Sequence, residues 1–456
     1  MRSANLSNKN PEISSSINTL HRYGRELAAL VTFFLTPAYA FDQNEKYAQS
    51  YNSTGAIGSM SAVEVLDQED EYSFFKRQIE IGEASEASVL LQEKIVEIED
   101  KEHLTHRSLV KPLTLLGDAK VAAGFVKEGL LFYDRAIFVQ RVNFGLFDSA
   151  QVDIIYKEAD GLKLLGDLEE ARKREEYAFE VIQRAYKEND LRRIPGLVRL
   201  AKFYDSVNSY LASRIFYRKS LEILIANNRE WEIESIPLYN GIAQSYFRER
   251  FPPSYIVDGF DSQLMDVVPG LTDAERLQQT LSINNFPEGE RALQAAVKIA
   301  LGQEPKNTEL IEETTMRLGD WHLMWNRQRE ANTLYTSVYQ SMESRGIDPN
   351  VTFSKPNLLY LPEPKTPEPP GLALAVEVKK GIVEVKFLVK TNGRVAALET
   401  VRTEPPKLME FKIRRSLRNS VFRPAFFEGI PVKNYPYTFV YKYDYFPSEN
   451  LADPTP

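Results

Sequence analysis

The sequence predicts a mainly helical protein, a solenoid of helical repeats followed by a small α+β domain near the C-terminus. Small residues recur every 42 positions in the first half of the chain, at Ala87, Gly129, Ala171 and Ser213. A proline-rich run, YLPEPKTPEPPG, comes after the helical part. Apolar and polar residues then alternate in VEVKFLV, which is the period of a half-buried strand.

Composition indicates a soluble, well-packed protein of more than one domain. The chain has 456 residues, of which 43% are hydrophobic and 26% are charged. Its net charge of -8 is uneven, because residues 371–456 hold 14 Lys+Arg against 9 Asp+Glu, which gives +5 there and -13 elsewhere. No basic stripe runs along the chain, so nucleic acid is not expected as a partner. The absence of cysteine excludes disulfides, thiolate zinc sites, cysteine nucleophiles and a lipid-anchored cysteine.

The N-terminus has the pattern of an export signal at residues 1–40. Arg22 and Arg25 precede an apolar run, and Ala38-Tyr39-Ala40 is typical of a signal-peptidase site. The stretch 27–39 would give a helix of about 20 Å, shorter than a hydrocarbon core of about 30 Å. We therefore expect cleavage after Ala40, with an uncleaved membrane anchor as the alternative. Residues 41–66 are rich in Ser, Asn, Gln and Gly and are expected to form a flexible leader.

Helical repeats are expected over residues 67–345. Two stretches carry a full signature: Leu116-Gly117, Gly129, Tyr133 and Ala136 in one, and Leu318-Gly319, Ala331 and Tyr335 in the other. This pattern resembles the tetratricopeptide repeat, although the unit of 42 residues is longer than the usual ~34. The small positions let two helices approach, and the aromatic ring fills the space beside them. The resemblance implies a binding groove lined by the first helices, at Tyr156, Asp160, Lys163, Lys202, Asp205, Met316, Asp320 and Trp321.

The repeat rhythm is interrupted at residues 252–287. This insertion contains loop residues and a capping-box pattern at Thr272 to Glu275, which predicts a short helix. Insertions within one repeat map to a loop on one face of a solenoid, often the binding face. We expect the insertion either to provide binding specificity or to act as a structural plug.

A proline-rich linker at residues 346–370 is expected to be extended and unpacked, and a domain at 371–446 and a short tail at 447–456 follow it. The pattern of this domain predicts a strand at Ile382 to Lys390, a type I′ turn at Asn392-Gly393 and a returning strand from Arg394 to Val401. Glu404-Pro-Pro-Lys407 then opens a helix, which places Met409, Ile413 and Leu417 on one face, and the last strand runs from Tyr435 to Tyr445. The order is ββαβ in a three-stranded antiparallel sheet.

Residues 381–432 resemble the TonB C-terminal domain. They match its first strand, its Asn-Gly-Arg-Val turn, its helix, and the Phe-Arg-Pro-Ala and Gly-x-Pro-Val motifs that follow. The resemblance implies a periplasmic protein of Gram-negative type whose open sheet edge binds a strand from an outer-membrane transporter. We expect the docking edge at Tyr435, Tyr437, Phe439 and Tyr441. A domain that merely packs on its own repeats, or pairs with itself, is the alternative.

The residues that carry chemistry do not form a recognisable catalytic or metal motif. The chain has four His, and His103 and His106 could share a helix face but lack a third ligand in any motif. Paired carboxylates such as Glu169-Glu170 lie among basic residues at helical spacing, as on a solvated face. We therefore expect no enzyme activity, metal or cofactor.

The sequence favours a non-catalytic periplasmic scaffold. Its repeats would hold one protein partner, and its TonB-like domain would bind a strand from an envelope or outer-membrane transport protein. The alternative is a TonB-type energy transducer anchored in the inner membrane, which would touch the membrane only if the signal is uncleaved.

Overall fold

The computed structural model describes residues 71–251, 285–367 and 378–447. The expected signal peptide and leader lie outside these residues, as do the predicted helix at Thr272 to Glu275 and nearly all of the tail. The chain divides after Gly196 into two compact units, which are described separately. In the described part of the chain, no helix is both long and apolar enough to cross a bilayer.

The first unit is made of antiparallel helical hairpins. Its helices are α1 (Glu71–Glu80), α2 (Ala84–Lys101), α3 (Val110–Ala122), α4 (Val126–Phe144), α5 (Val152–Leu164) and α6 (Leu168–Ala185), with α7 (Ile194–Ser206) beginning at its end. Each helix from α2 to α5 packs on the next helix in the sequence. This unit therefore has the sequential stacking of a helical-repeat array.

The 42-residue period predicted from the small residues is confirmed by the element boundaries. Short 3₁₀ turns occur at Arg107–Leu109, Ser149–Gln151, Leu191–Arg193 and Ile233–Ser235. The first residue of each turn lies 42 positions after the previous one, and so does the first residue of the helix that follows each turn. The period is thus a complete structural unit, namely a turn and two helices.

Small residues occur where they were expected, between the paired helices. A Cβ atom added to Gly117 would collide with the ring of Tyr133, and one added to Gly319 would lie 2.6 Å from Cε1 of Tyr335. Both tyrosine side chains are buried. The signature therefore encodes a glycine-to-ring contact between the two helices of a hairpin.

The second unit continues the helices and adds the sheet. Its helices are the rest of α7, then α8 (Tyr210–Ala226), α9 (Ile236–Arg250), α10 (Phe286–Leu301), α11 (Thr308–Met324), α12 (Gln328–Ser344) and the short α13 (Asn350–Phe353). Helices α9 and α10 pack as a hairpin, so the insertion lies inside one repeat, as predicted. Its predicted end at residue 287 is too late, because α10 already begins at Phe286.

The C-terminal module, which we define as residues 357–367 and 378–447, holds all the strands of the described chain. These are β1 (Asn357–Tyr360), β2 (Lys379–Lys390), β3 (Val395–Glu404), β4 (Val421–Arg423), β5 (Phe426–Phe427), β6 (Ile430–Pro431) and β7 (Asn434–Tyr445), with α14 (Glu410–Asn419) after β3. The main sheet is antiparallel in the order β3-β2-β7, while β1 pairs with β4 and β5 pairs with β6. The predicted ββαβ order describes the main sheet and its helix.

The core of the module lies between the sheet and α14. Val383, Val385, Phe387 and Val389 are buried on one face of β2, in agreement with their alternation. Met409, Ile413 and Leu417 pack against them, as their spacing predicted. The helix begins at Glu410, however, and not at the prolines, because Pro405 and Pro406 lie in an irregular segment that precedes it.

The turn between β2 and β3 differs from the predicted type I′ turn. A type I′ turn requires positive φ at both central residues. Here Gly393 has φ of +73°, and Asn392 is not among the residues with positive φ. The amide of Gly393 donates to the carbonyl of Lys390, so Thr391 and Asn392 form the turn and Gly393 follows it in the left-handed region. A side chain at Gly393 would also collide with the carbonyl of Phe422.

The linker at 346–370 is packed over most of its described length, contrary to the prediction that it would be extended and unpacked. It includes α13 and β1, and Pro364 is buried. Strand β1 forms main-chain hydrogen bonds with β4, a strand that lies far along the sequence. Proline content alone could not reveal this pairing. The C-terminal module therefore begins near residue 357 and not at 371.

Candidate protein-binding site

The outer edge of β7 is the principal candidate site. Strand β7 pairs with β2 along its whole length, from Asn434 opposite Lys390 to Tyr445 opposite Lys379. Within the described ranges, no strand pairs with its other side. Outward N–H and C=O groups of such an edge can accept a further strand.

The predicted docking residues all lie on β7. Tyr435, Tyr437, Phe439 and Tyr441 are half-buried and pack against the core of the module. Their side chains share the face that carries the buried residues of β2. These rings form one face of β7 next to its edge, whereas main-chain N–H and C=O groups of β7 would pair with a partner strand.

Strand β3 forms the opposite edge of the sheet but is irregular. Its pairing with β2 shifts register twice, between Glu384 and Val385 and between Lys386 and Leu388. Ala397 within β3 has a positive φ of 52°. Bulges of this kind twist an edge and hinder further pairing. The pairing of β7 with β2 has no register shift, so β7 is the better template.

Three residues form a buried polar cluster that holds the module on the last helical hairpin. Arg423 of β4 donates from Nε to Oδ1 of Asp320 on α11 at 2.8 Å and from Nη2 to Oδ2 at 2.6 Å. The hydroxyl of Tyr335 on α12 donates to Oδ1 of Asp320 at 2.8 Å. The side chains of Arg423 and Asp320 are 12% and 3% exposed. We call this group the Asp320 cluster.

Electrostatics favour the charged form of the Asp320 cluster. Burial opposes the positive charge of Arg423, but attraction to Asp320 and the hydrogen bonds between them raise the pKa of Arg423 above its ordinary value. Burial, followed by the negative charge of Asp320, raises the pKa of Tyr335, so its hydroxyl remains a donor. Bidentate Arg–carboxylate geometry with an additional hydroxyl donor is what a buried ion pair needs.

The first unit contains an equivalent group, the Asp118 cluster. The hydroxyl of Tyr133 donates to Oδ1 of Asp118 at 2.7 Å, and Nζ of Lys157 from the next repeat lies 2.8 Å from the same oxygen. In both clusters the aspartate follows the signature glycine, and the tyrosine comes 15 positions later. Arg423 therefore takes the place that a cation of the following repeat takes in the first unit. The C-terminal module substitutes for a next repeat at the end of the array.

Further contacts fix the module on the same hairpin. The rings of Tyr335 and Phe426 meet edge to face at 5.7 Å, and Thr336 donates to the carbonyl of Gly429 at 2.9 Å. At the β2–β3 turn, Gln328 donates to Thr391 at 3.0 Å. The module is thus a fixed part of the second unit.

The predicted groove residues of α11 do not form an open surface. Met316, Asp320 and Trp321 are all buried. Trp321 stacks on Trp325 at 4.0 Å, and Asp320 is engaged by Arg423. The repeat pattern could not show the burial of Asp320, because Arg423, which covers it, lies 103 positions later in the sequence.

The other predicted groove residues belong to different units. In the first unit, Tyr156 is partly exposed, and Nζ of Lys163 lies 2.5 Å from Asp160. In the second unit, Lys202 is exposed, and Asp205 accepts from Nη1 of Arg248 at 2.6 Å. Burial raises the pKa of Asp205, and Arg248 opposes this shift.

Titratable groups do not assemble into a metal centre in the described part of the chain, since no group of three His, Cys, Asp or Glu could hold an ion there. His103 and His106 meet edge to face at 5.3 Å. One buried acid was not anticipated: burial raises the pKa of Glu158 to about 7, and the nearby Arg174 opposes this shift. Sequence alone gave no signal for it, because its burial depends on helix packing.

Comparison with known proteins finds similar solved structures but no matching family. No family model and no curated protein matches the chain. Among solved structures, BtubC (BKLC) from P. vanneervenii is 14% identical, with a TM-score of 0.39 over 66% of this chain and 99% of that one. A putative kinesin light chain of Podospora anserina with TPR-like repeats is 14% identical, with a TM-score of 0.37 over 51% and 94%. The TPR2AB domain of yeast Sti1, in its pHSP90 complex, is 10% identical, with a TM-score of 0.24 over 60% and 91%. The second and third of these neighbours contain TPR-like repeats and a TPR domain, respectively, and none of the three identifies a family for this chain.

Proposed function

We propose that the protein is an exported, non-catalytic scaffold that binds proteins through its helical repeats and through its C-terminal module. In the module, a partner strand pairs with the outer edge of β7. The observation that carries this proposal is the regular twelve-residue pairing of β7 with β2, which leaves the other side of β7 without a strand partner in the described chain.

The likeness to the TonB C-terminal domain supports a partner from the cell envelope. The likeness rests on the ββαβ order of the main sheet and on the Phe-Arg-Pro-Ala and Gly-x-Pro-Val motifs. This likeness favours a strand of an envelope or outer-membrane transport protein as the partner. Main-chain pairing would provide affinity, and side chains beside the outer edge of β7 would select side chains of the partner strand.

Attachment of the module to the last hairpin favours a scaffold over an energy transducer. A transducer that works across a periplasm needs reach between its anchor and its docking domain. Here the Asp320 cluster, the contact of Tyr335 with Phe426 and the hydrogen bond of Gln328 to Thr391 hold the module against the last hairpin. Partners on the repeats and on β7 would therefore be held in a fixed relation within the second unit.

Site-specific photo-cross-linking tests the strand-docking proposal. Val440 on β7 and Val401 on β3 are 46% and 47% exposed, so they make a matched pair on the two edge strands. A benzophenone side chain at Val440 should cross-link an extended segment of an envelope protein in intact cells, and one at Val401 should not. Equal capture at both positions, or capture at Val440 of this chain alone, would contradict the proposal.

The export part of the proposal is tested by the mass of the mature chain. Loss of residues 1–40 from protein isolated from the envelope supports the exported scaffold. Retention of these residues in a membrane fraction supports the anchored transducer instead.

A further inference from the structure

The aromatic face of β7, which is distinct from the outer edge of the strand, is in contact with a segment of the chain itself. Residues 361–367, which we call the proline segment, extend from this face to α14. Leu361 packs against the core of the module, Pro364 is buried, and Nζ of Lys412 on α14 donates to the carbonyl of Lys365 at 2.9 Å. Glu363 lies close enough to Tyr441 to raise its pKa.

The β7 side of this contact is a continuous row of rings. The row consists of Tyr435, Tyr437, Phe439, Tyr441, Tyr443 and Tyr445, which occupy alternate positions of the strand. Neighbouring rings from Phe439 to Tyr443 lie nearly parallel, with centroids 6.3 to 6.5 Å apart. Aromatic-lined grooves of this kind bind proline-rich peptides, because such peptides are already extended and lose little entropy on binding.

We propose that the aromatic face of β7 and α14 form a binding site for an extended, proline-containing peptide, which the chain's own proline segment occupies. The chain thus contains an internal competitor for its own groove. A partner segment of the same chemistry would bind by displacing residues 361–367. This site uses the face of β7 and not its outer edge. The proposal can therefore be correct or wrong independently of the strand-docking proposal.

The internal occupant is held by a suboptimal contact, which makes exchange feasible. Burial raises the pKa of Glu363, so placing its carboxylate in the groove is unfavourable at neutral pH. The pKa of Tyr441 is raised to about 12, first by burial and then by the negative charge of Glu363. Among the described residues no cation offsets this effect of burial on Glu363. A competing peptide with a neutral residue in place of Glu363 would avoid this cost and would bind more tightly.

A peptide-binding experiment on the full chain tests this inference. The probe is a fluorescein-labelled synthetic peptide of residues 359–369, measured by fluorescence anisotropy. The double variant Leu361→Ser, Pro364→Ser weakens the internal occupant and should bind the probe about tenfold more tightly than the wild type, which is a change of about 1.4 kcal/mol. Adding Tyr441→Ala to that variant should remove the gain.

A milder pair of variants keeps the test valid if the double variant is unstable. Leu361→Ser alone weakens the packing of the proline segment and leaves the groove intact, so it should tighten probe binding several-fold. Thr366→Ala, an exposed change in the same segment, should leave probe binding unchanged. The inference is overturned if neither Leu361→Ser nor the double variant binds the probe more tightly than the wild type, or if Tyr441→Ala has no effect.

Discussion

Replacing Arg423 by methionine should destabilise the second unit, because it removes one partner of a buried ion pair. The guanidinium makes two hydrogen bonds to Asp320, at 2.8 and 2.6 Å, in a site where the side chain of Asp320 is only 3% exposed. Methionine retains much of the volume of arginine but none of its charge. Among the described residues, the carboxylate of Asp320 would keep the hydroxyl of Tyr335 as its hydrogen-bond donor.

The expected size of this effect follows from burial. Removing one member of a buried ion pair costs about 3 to 5 kcal/mol, because the other charge stays buried without compensation. In the double variant Asp320→Asn, Arg423→Met, the cost should be smaller than the sum of the single effects by about 1 to 3 kcal/mol. The Asp118 cluster provides the matched control. The side chains of Lys157 and Asp118 are 40% and 20% exposed, so Lys157→Met should cost less than about 1 kcal/mol.

Urea unfolding followed by tryptophan fluorescence measures this effect selectively. All three tryptophans, Trp231, Trp321 and Trp325, lie in the second unit. Their fluorescence therefore reports on that unit, while Lys157→Met is followed by far-UV circular dichroism. A loss of less than about 1 kcal/mol for Arg423→Met, or double-variant costs that simply add, would refute the reasoning.

The remaining predictions concern packing, pH and export. Gly319→Ala brings a methyl group into the ring of Tyr335 and should cost about 1 to 3 kcal/mol by the same fluorescence assay, whereas Gly302→Ala should have little effect. The pKa of Glu158 is raised from 4.5 to about 7, so the folded state binds the proton more tightly than the unfolded state. Stability should therefore fall by up to about 3 kcal/mol as pH rises from about 4.5 to about 7. Unfolding followed by circular dichroism should show this loss in the wild type and not in Glu158→Gln; equal pH dependence would contradict it. Intact-mass measurement should show a mature chain without residues 1–40, and a full-length chain would exclude cleavage.

Truncation at residue 371 is a poor test of the C-terminal module. It would remove Arg423 and Phe426, which bury Asp320 and Phe353 of the helical part, and would leave β1 without its partner β4. Loss of partner binding after such a truncation could reflect damage to the last hairpin. Point substitutions on β7 and α14 separate binding from stability.

Sequence predicted the repeats well because their signature is local. The glycine-to-ring contacts of Gly117 with Tyr133 and of Gly319 with Tyr335 join two helices that follow one another in the chain. The alternation of apolar and polar residues in β2 likewise indicates which face of the strand is buried, and it does so within one short segment. Sequence periodicity reveals burial of this kind because it depends on contacts between residues that are close in the sequence.

Sequence failed where distant segments meet. Asp320 had the polarity and position of a groove residue, and only the fold shows that Arg423 covers it. Prolines at residues 360–371 indicated a free linker, but pairing of β1 with β4 fixes the start of that stretch. The turn at Gly393 was mistaken for type I′ because Asn-Gly suits that turn, whereas here the chain adds a residue, Thr391, to the turn.

Residue-resolved amide hydrogen exchange of β7 by NMR tests the central claim most directly. In an antiparallel edge strand, alternate amides point to the neighbouring strand and to solvent. We expect that, in the free protein, every second amide between Asn434 and Tyr445 is protected by its hydrogen bond to β2. The other amides of β7 point to solvent and should exchange fast. Uniform protection along β7 in the free monomer would show that its outer edge is already paired and would contradict the account.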